Sequence, residues 1–124
     1  AAVIANCIPD GFLYSIENIG SLADGAIRRL RDLGCGNVSV RCGNGFNGWP
    51  DAAPFDTIIV TAAPKSVPKT LVRQLENGGR MILPVGQPHK RQMLTLIRKD
   101  SDGHVTKDNV LPVTFVPMVD FDSI

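Results

Sequence analysis

The residues of this chain with the capacity for chemistry gather in one run, Gly43 to Ala63, and in one carboxylate outside it, Glu17. Gly43 to Pro54 holds three Gly and two Pro among twelve residues, so it reads as a turn-rich loop. Phe55 to Val60 is a short apolar run rich in β-branched residues, too short for a helix, and reads as a buried strand. A strand apolar on both faces is typical of a parallel sheet. In such sheets ligands bind beyond the carboxyl ends of the strands, at a switch point in strand order. Asn44-Gly45 and Thr61-Ala62-Ala63 each follow a predicted strand, so both fall on that rim. Small residues there let backbone approach a ligand closely. Each has a plainer reading. Glu17 is equally a solvated carboxylate or a cap, Asn44 a turn residue tolerant of positive φ, Gly45 a turn glycine, and Thr61 to Ala63 close packing at a strand end.

Other chemistries find little footing. The three cysteines, Cys7, Cys35 and Cys42, are odd in number and match no zinc spacing, so they read as reduced thiols of a cytoplasmic protein. Cys42 reads as a small buried residue rather than a nucleophile. His89 and His104 stand alone, and no metal is expected. No Ser/His/Asp or Cys/His constellation is evident. The 13 basic and 12 acidic residues are interspersed for a formal charge of +1, which argues against nucleic acid or an anionic membrane as partner. Arg28, Arg29 and Arg31 read as a solvated helix face. Trp49, Phe46 and Phe55 read as core and loop anchors rather than a base-stacking set. At 124 residues, 44% hydrophobic and 20% charged, the chain has the composition of one ordinary globular domain at most. Its apolar runs fall far short of the roughly 18 residues of a membrane span. Its start has no basic region leading into an apolar core and cleavage site.

The elements that must position these residues follow from periodicity. Ala1 to Cys7 reads as the tail of a helix, broken by Pro9-Asp10-Gly11. Phe12 to Ile16 is a strand ending at Glu17. Ser21, with Asp24 three residues on, reads as an N-cap for a helix carrying Leu22, Ala23, Ala26, Ile27, Leu30 and Leu33, with Gly34 ending it. Val38 to Cys42 is the next strand. Val67 to Leu75 reads as a short helix with Pro68 in its first turn. Asn77-Gly78-Gly79 is a turn, Arg80 to Val85 a buried strand, Gln92 to Lys99 a strand and Asp100 to Gly103 a hairpin turn. A short strand near His104 to Thr106 follows, then Val110 to Val116, interrupted by Pro112. Alternating strands and helices through Val85 predict a doubly wound α/β sheet, and the last third predicts an antiparallel edge on it.

Several stretches together carry a family likeness: Tyr14-Ser15-Ile16-Glu17, Gly43-Asn44-Gly45 followed by Gly48-Trp49, Ala53-Pro54-Phe55-Asp56 through Thr61-Ala62-Ala63, Pro68, Gln74-Leu75, Gly78 through Gly86, Gln92-Met93-Leu94, and Phe115-Val116-Pro117. The chain resembles the protein-L-isoaspartate O-methyltransferases, Rossmann-like enzymes that use S-adenosylmethionine and release S-adenosylhomocysteine. The likeness spans nearly the whole chain. Its most specific part is the Ala-Pro-Phe-Asp run followed, about one αβ unit later, by Gly-Gly-Arg-Met-Ile-Leu-Pro-Val-Gly. The resemblance implies repair of damaged proteins and peptides by methyl transfer to the carboxylate of an L-isoaspartyl residue. It implies that Glu17, Asn18, Asn44, Gly45 and Val119 border the cofactor. It implies that Thr61, Ala62, Ala63, Val85, Gly86, Val116 and Pro117 line the substrate cleft. It singles out no catalytic residue.

The chain departs from the family pattern in three ways. Asn44 stands where an Asp usually lies between two glycines. Val119 stands where a hydroxyl residue often follows Val-Pro-Leu. No Gly-x-Gly-x-Gly follows a first strand. The expected fold therefore lacks the first strand and its cofactor loop, which makes the chain a partial catalytic domain over 1–124, weak or inactive alone. Three other readings stay open: a related methyltransferase acting on a small molecule or RNA, a non-catalytic domain of the same fold, and, least favoured, a dinucleotide-binding oxidoreductase, for which no pyrophosphate loop is present. In this fold the first strand lies between those predicted at Phe12–Ile16 and Phe55–Val60, so each is expected to keep one unpaired edge. Hydrogen exchange on the isolated monomer should find weak protection in both strands; strong protection in both would defeat the expectation.

Overall fold

The computed structural model describes residues 1–120. Along the chain run α1 (Ala2–Cys7), β1 (Leu13–Glu17), α2 (Gly20–Asp32), β2 (Val38–Cys42), β3 (Phe55–Ile59), α3 (Lys69–Arg73), β4 (Leu75–Val85), β5 (Gln92–Lys99) and β6 (Val105–Val113). They divide into two compact units, Ala1–Gly45 and Phe46–Ile124.

In the first unit β1 and β2 pair in parallel, from Leu13 opposite Val38 to Glu17 opposite Cys42. Parallel pairing needs a crossover, and α2 supplies it. Ala23 and Leu30, seven residues apart and so on one helix face, are its buried residues. Leu22 and Leu33 were expected on that face and are exposed instead. The helix ends as Gly34 predicts. Gly34 adopts φ 73°, its N–H reaches the Arg31 carbonyl, and the Cys35 N–H reaches the Leu30 carbonyl. These two bonds form a Schellman motif. The start differs from expectation. Ile19, not Ser21, is the N-cap, and the Ala23 N–H donates to the Ile19 carbonyl at 3.0 Å. Two residues separate β1 from α2, so the turn leaves no room for Ser21 outside the helix. α1 is held by Asn37, whose Nδ2 donates to the carbonyls of Ala5, Ile8 and Gly11 at 2.9, 3.0 and 3.3 Å.

In the second unit the strand order is β3-β4-β5-β6, with β3–β4 parallel and the other two pairs antiparallel. The antiparallel edge is thus as predicted. Leu71, Leu75, Met81, Leu83 and Ile97 form the core, with Ile58, Val60 and Val85 packed against it. Met81 and Leu83 are fully buried on one face of β4, two residues apart as pleating requires. Burying each such side chain stabilises the fold by roughly 1.5–3 kcal/mol.

Four expectations are corrected in this unit. First, β3 is not a fully buried strand. Among the described residues it pairs only with β4, and Ile59 is 51% exposed. Second, the helix after Val67 is only Lys69–Arg73, with Pro68 as N-cap. Lys99 Nζ donates to the carbonyl of Val72 in its last turn at 2.8 Å and to that of Leu75 just beyond it at 2.7 Å. Leu75 lies outside the helix and opens β4. Third, Asn77-Gly78-Gly79 does not separate two elements. β4 runs through it, and its register against β3 jumps from Phe55 opposite Leu75 to Thr57 opposite Arg80. The added residues are absorbed as a bulge, which Gly78 permits with φ 85°. A Cβ on Gly79 would come within 2.9 Å of the Glu76 carbonyl, so the bulge is also too tight for a side chain there. Fourth, the two short strands after the hairpin are one strand, β6, irregular where Leu94 faces Leu111 and Thr95 faces Asn109. Pro112 is tolerated because β6 is an edge strand, and the strand stops at Val113 rather than Val116.

The β5–β6 hairpin is closed by Asp100. Its Oδ1 accepts the backbone N–H groups of Asp102 and His104 at 2.8 and 2.9 Å. The His104 N–H, with help from that of Asp102 and from the His104 ring, holds the Asp100 carboxyl below its ordinary pKa against an opposing effect of desolvation. A carboxyl depressed in the fold contributes stability above its unfolded value of about 3.9 and loses it as pH falls through the folded value. An NMR titration should therefore give an Asp100 midpoint below the ordinary carboxylate range, with the Asp102 and His104 amide shifts titrating alongside. A midpoint at or above about 3.9 would contradict this geometry.

Candidate functional site: two strand-end rims

The predicted residues fall on two rims, one in each unit. In the first unit Glu17 ends β1 and lies opposite Cys42, the last residue of β2. The Gly43 N–H donates to the Glu17 carbonyl at 3.0 Å, which carries the ladder into the glycine loop. Glu17, Asn18 and Gly43-Asn44-Gly45 are therefore brought together at one strand end, as the sequence predicts. Glu17 is half-buried, and its Oε1 accepts the Ile19 N–H at a long 3.3 Å. Asn18 is exposed and its carbonyl faces the Cys42 thiol at 3.8 Å. Asn44 and Gly45 are half-buried. Cys42 is exposed, not buried, because it sits at the last residue of its strand, where the sheet ends.

In the second unit Thr61, Ala62 and Ala63 follow β3. Thr61 is exposed, while Ala63 is 3% exposed. Ala63 forms a parallel bridge with Pro117: its N–H donates to the Val116 carbonyl at 2.7 Å, and the Met118 N–H donates to the Ala63 carbonyl at 3.0 Å. Val85 ends β4, and Gly86 after it donates to the Pro64 carbonyl at 3.0 Å. Ala63, Val85, Gly86, Val116 and Pro117 thus meet at one rim. Val116 is 69% exposed on it. Val119 lies two residues past Pro117 in this same unit and is exposed.

Two buried glutamines hold the loops beside these rims, and sequence reasoning assigned neither a role. Gln74 is 8% exposed. Its Oε1 accepts the Trp49 N–H and its Nε2 donates to the Asn47 carbonyl, both at 2.9 Å. Gly48 between them has φ 60°, and a Cβ there would come within 2.7 Å of the Gln74 amide carbon. Gln92 does the same for Phe115. The available signal was a glutamine beside core leucines, as in Leu71–Leu75. A buried amide must be satisfied, and backbone is its commonest partner. The loop after β2 is anchored through the backbone N–H of Trp49.

Asp100, Asp102 and His104 lie with potential ligand atoms within 4.8 Å, a grouping the sequence reading did not anticipate. All three are exposed, and the Asp100 oxygens are engaged in closing the hairpin. Two open depressions flank α2, one lined by Asp24, Ile27 and Arg28 and one between the Ile27–Arg31 stretch of the helix, Cys35 and the start of β2 at Val38–Val40; neither includes a predicted site residue. Among the described residues no helix is long and apolar enough to cross a membrane.

Parallel βαβ pairing, a sheet that turns antiparallel at its end, and ligand-competent residues at strand carboxyl ends define a Rossmann-like α/β protein. A family profile described as protein-L-isoaspartate(D-aspartate) O-methyltransferase matches residues 1–123, and the chain belongs to that family. It is 48% identical over 118 residues to protein-L-isoaspartate O-methyltransferase 1 of Nitrosospira multiformis, covering 95% of this chain and 49% of the relative. It is 48% identical over 121 residues to the Ignicoccus hospitalis enzyme of that name, covering 97% and 57%. A solved protein-L-isoaspartate O-methyltransferase superposes with a TM-score of 0.80 at 32% identity, covering 89% of this chain and 35% of that one. A putative one from Plasmodium falciparum, in complex with S-adenosyl-L-homocysteine, has a TM-score of 0.74 at 22% identity over 87% of this chain and 52% of its own, a likeness of fold. The chain spans about half the length of the curated relatives it matches.

Gln74→Ala should lower the unfolding free energy by about 1–3 kcal/mol, because a buried amide and its two part-buried hydrogen bonds to the loop are lost. Gly48→Ala should cost at least as much through overlap and positive φ. Urea midpoints with unchanged m-values would report both, and a Gln74→Ala midpoint equal to wild type would contradict the clamp.

Proposed function

We propose that this chain serves S-adenosylmethionine-dependent methylation of the carboxylate of L-isoaspartyl residues in damaged proteins. The observation that carries the proposal is the family match over residues 1–123, which takes in both rims. S-adenosylmethionine, when bound, supplies an electrophilic methyl group on a sulfonium, which a carboxylate oxygen displaces to leave a methyl ester and the neutral thioether S-adenosylhomocysteine.

The residues of the first rim fit such a ligand. Glu17 spends one oxygen on a long hydrogen bond and keeps acceptor capacity for a pair of ribose hydroxyls. The Asn44 side-chain carbonyl can accept from an adenine amino group, and the Gly45 N–H can meet the ring edge. Asn18 borders the same end of the sheet. Val119 is the remaining cofactor-side residue of the proposal.

The second rim suits a peptide. Ala63, with Thr61 and Ala62, gives a floor of small side chains. Val85, Gly86, Val116 and Pro117 offer backbone, which recognises a chain without regard to its side chains. That mode fits an enzyme that must accept many sequence contexts. The substrate carboxylate is ionised at pH 7, so no general base is needed. What these residues do is align the carboxylate and shelter it from water. The ester then cyclises by attack of the following backbone nitrogen, releasing methanol. The succinimide reopens partly to normal aspartate. A formal charge of +1 without a basic patch favours a protein over a nucleic acid as substrate, and three unpaired thiols favour the cytoplasm as the place of action.

A second reading, a non-catalytic domain of the same fold, is favoured by one observation: Asn44 brings a neutral amide to a position where the family carries a carboxylate. Calorimetry with S-adenosylhomocysteine separates the two. The chain should bind weakly alone and more tightly when complemented by a segment carrying a Gly-rich loop. Glu17→Gln should weaken binding about tenfold, the loss of one charge-assisted hydrogen bond, and Asn44→Asp should strengthen it. Absence of binding under both conditions, with Asn44→Asp included, would favour the non-catalytic domain.

A further inference from the structure

Gln92 is fully buried and opens β5. Its Oε1 accepts the Phe115 N–H at 2.6 Å, and its Nε2 donates to the Phe115 carbonyl at 3.1 Å. The ladder between β5 and β6 ends where Gln92 faces Val113. Two residues later the chain has left the sheet, and the Gln92 amide supplies the hydrogen bonds that a neighbouring strand would have supplied. The next residues form the second rim. Val116 and Met118 bond Ala63, and Val116 itself stays exposed.

The stem of the same side chain abuts the other half of that rim. A Cβ built on Gly86 would come 2.9 Å from Gln92 Cγ and 3.0 Å from its Cα, and Gly86 has φ 154°. Gly86 in turn is tied to Pro64, next to Ala63. One side chain therefore touches Gly86 with its stem and Phe115 with its head. It sets the spacing between the two backbone segments proposed to hold substrate.

A Leu or Met of similar volume would fill the site but leave the Phe115 N–H and carbonyl without these bonds. The amide contributes geometry: its two polar atoms are committed to the two peptide units that flank the Phe115 Cα, which fixes the direction in which Val116 and Pro117 leave the sheet.

We propose that Gln92 is a positioning residue for the peptide substrate: it holds Gly86 and Val116–Pro117 at the separation that grips the backbone on either side of an isoaspartyl residue. The assignment rests on the substrate reading above, and the test separates the two.

The test measures an isoaspartyl hexapeptide and S-adenosylhomocysteine by calorimetry, on wild type, Gln92→Leu and Gln92→Glu, all with the complementing Gly-rich segment. Amide exchange at Ala63 and Met118 is followed in parallel on the chain without ligand. Gln92→Leu should bind the peptide about tenfold more weakly, the equivalent of one hydrogen bond, with S-adenosylhomocysteine affinity unchanged. Exchange at Ala63 and Met118 should quicken while β4–β5 amides stay protected. Gln92→Glu adds a readout that simple destabilisation would not move. Burial and the facing Phe115 carbonyl raise the introduced carboxyl above its usual value of about 4.3. Protonated, that carboxyl both donates and accepts as the amide does, so its peptide affinity should approach wild type as pH is lowered toward about 5 and fall away as pH rises. The Glu variant carries the test if the Leu variant does not fold. Wild type that binds the peptide, with variants that bind it equally well or lose both ligands together, would overturn the role of Gln92. Wild type that does not bind the peptide would overturn the substrate reading and this assignment with it.

Discussion

Strands in this chain stop at rims, and the backbone groups just past each stop need hydrogen-bond partners once water is excluded. That requirement shapes most of what surrounds the cores. A buried N–H or carbonyl left alone costs about as much as a lost hydrogen bond. Four long polar side chains meet the need. Asn37 collects three carbonyls around the end of α1, Gln74 clamps Asn47 and Trp49, Gln92 clamps Phe115, and Lys99 caps α3. Among the described residues every buried side-chain nitrogen and oxygen has a partner. The loops at the rims are thus shaped by side chains reaching out of regular elements rather than by their own sequences.

The same arrangement accounts for why the candidate site is made of small residues and backbone. Where a clamping glutamine lies close against the backbone, the residue there has no Cβ, as at Gly48 against the Gln74 amide and at Gly86 against the Gln92 stem. What remains on the solvent side is main chain with its hydrogen-bonding groups in fixed directions, which suits recognition of another main chain. Catalysis by alignment asks for little more. The charged groups near the rims are few, and Glu17 is the one carboxylate at a strand end in the first unit.

The two units reach their rims by different routes. The first relies on a crossover helix ended by a Schellman motif and on two short strands. The second relies on β4, whose Met81 and Leu83 anchor the core while the bulge near Gly78 adjusts its register against β3. The bulge matters for the rim because it decides which residue of β4 stands beside Ile59, and so where Val85 and Gly86 emerge.

The sequence by itself determined the α/β class, the antiparallel edge, and the strands β1, β2 and β5 to within a residue. These follow from local signals, apolar patterning, glycine at a helix end and turn residues between elements, which need no knowledge of distant contacts. The family, and the grouping of Glu17 with Gly43–Gly45 and of Ala63 with Gly86, Val116 and Pro117, came from the resemblance of whole motifs. Tertiary structure alone decided the rest. α3 ends at Arg73, with Lys99, far along the chain, bonding the Val72 carbonyl of its last turn and the Leu75 carbonyl that opens β4. Asn77-Gly78-Gly79 became a bulge because β3 pairs with β4 on both sides of it. Ser21 lost the cap because β1 ends so close to α2. Ile59 is half exposed because β3 has one strand neighbour among the described residues. Gln74 and Gln92 acquired their roles only when folding brought Trp49 and Phe115 beside them. Each of these depends on which backbone groups meet across long sequence separations, and a buried amide has no partner until they do.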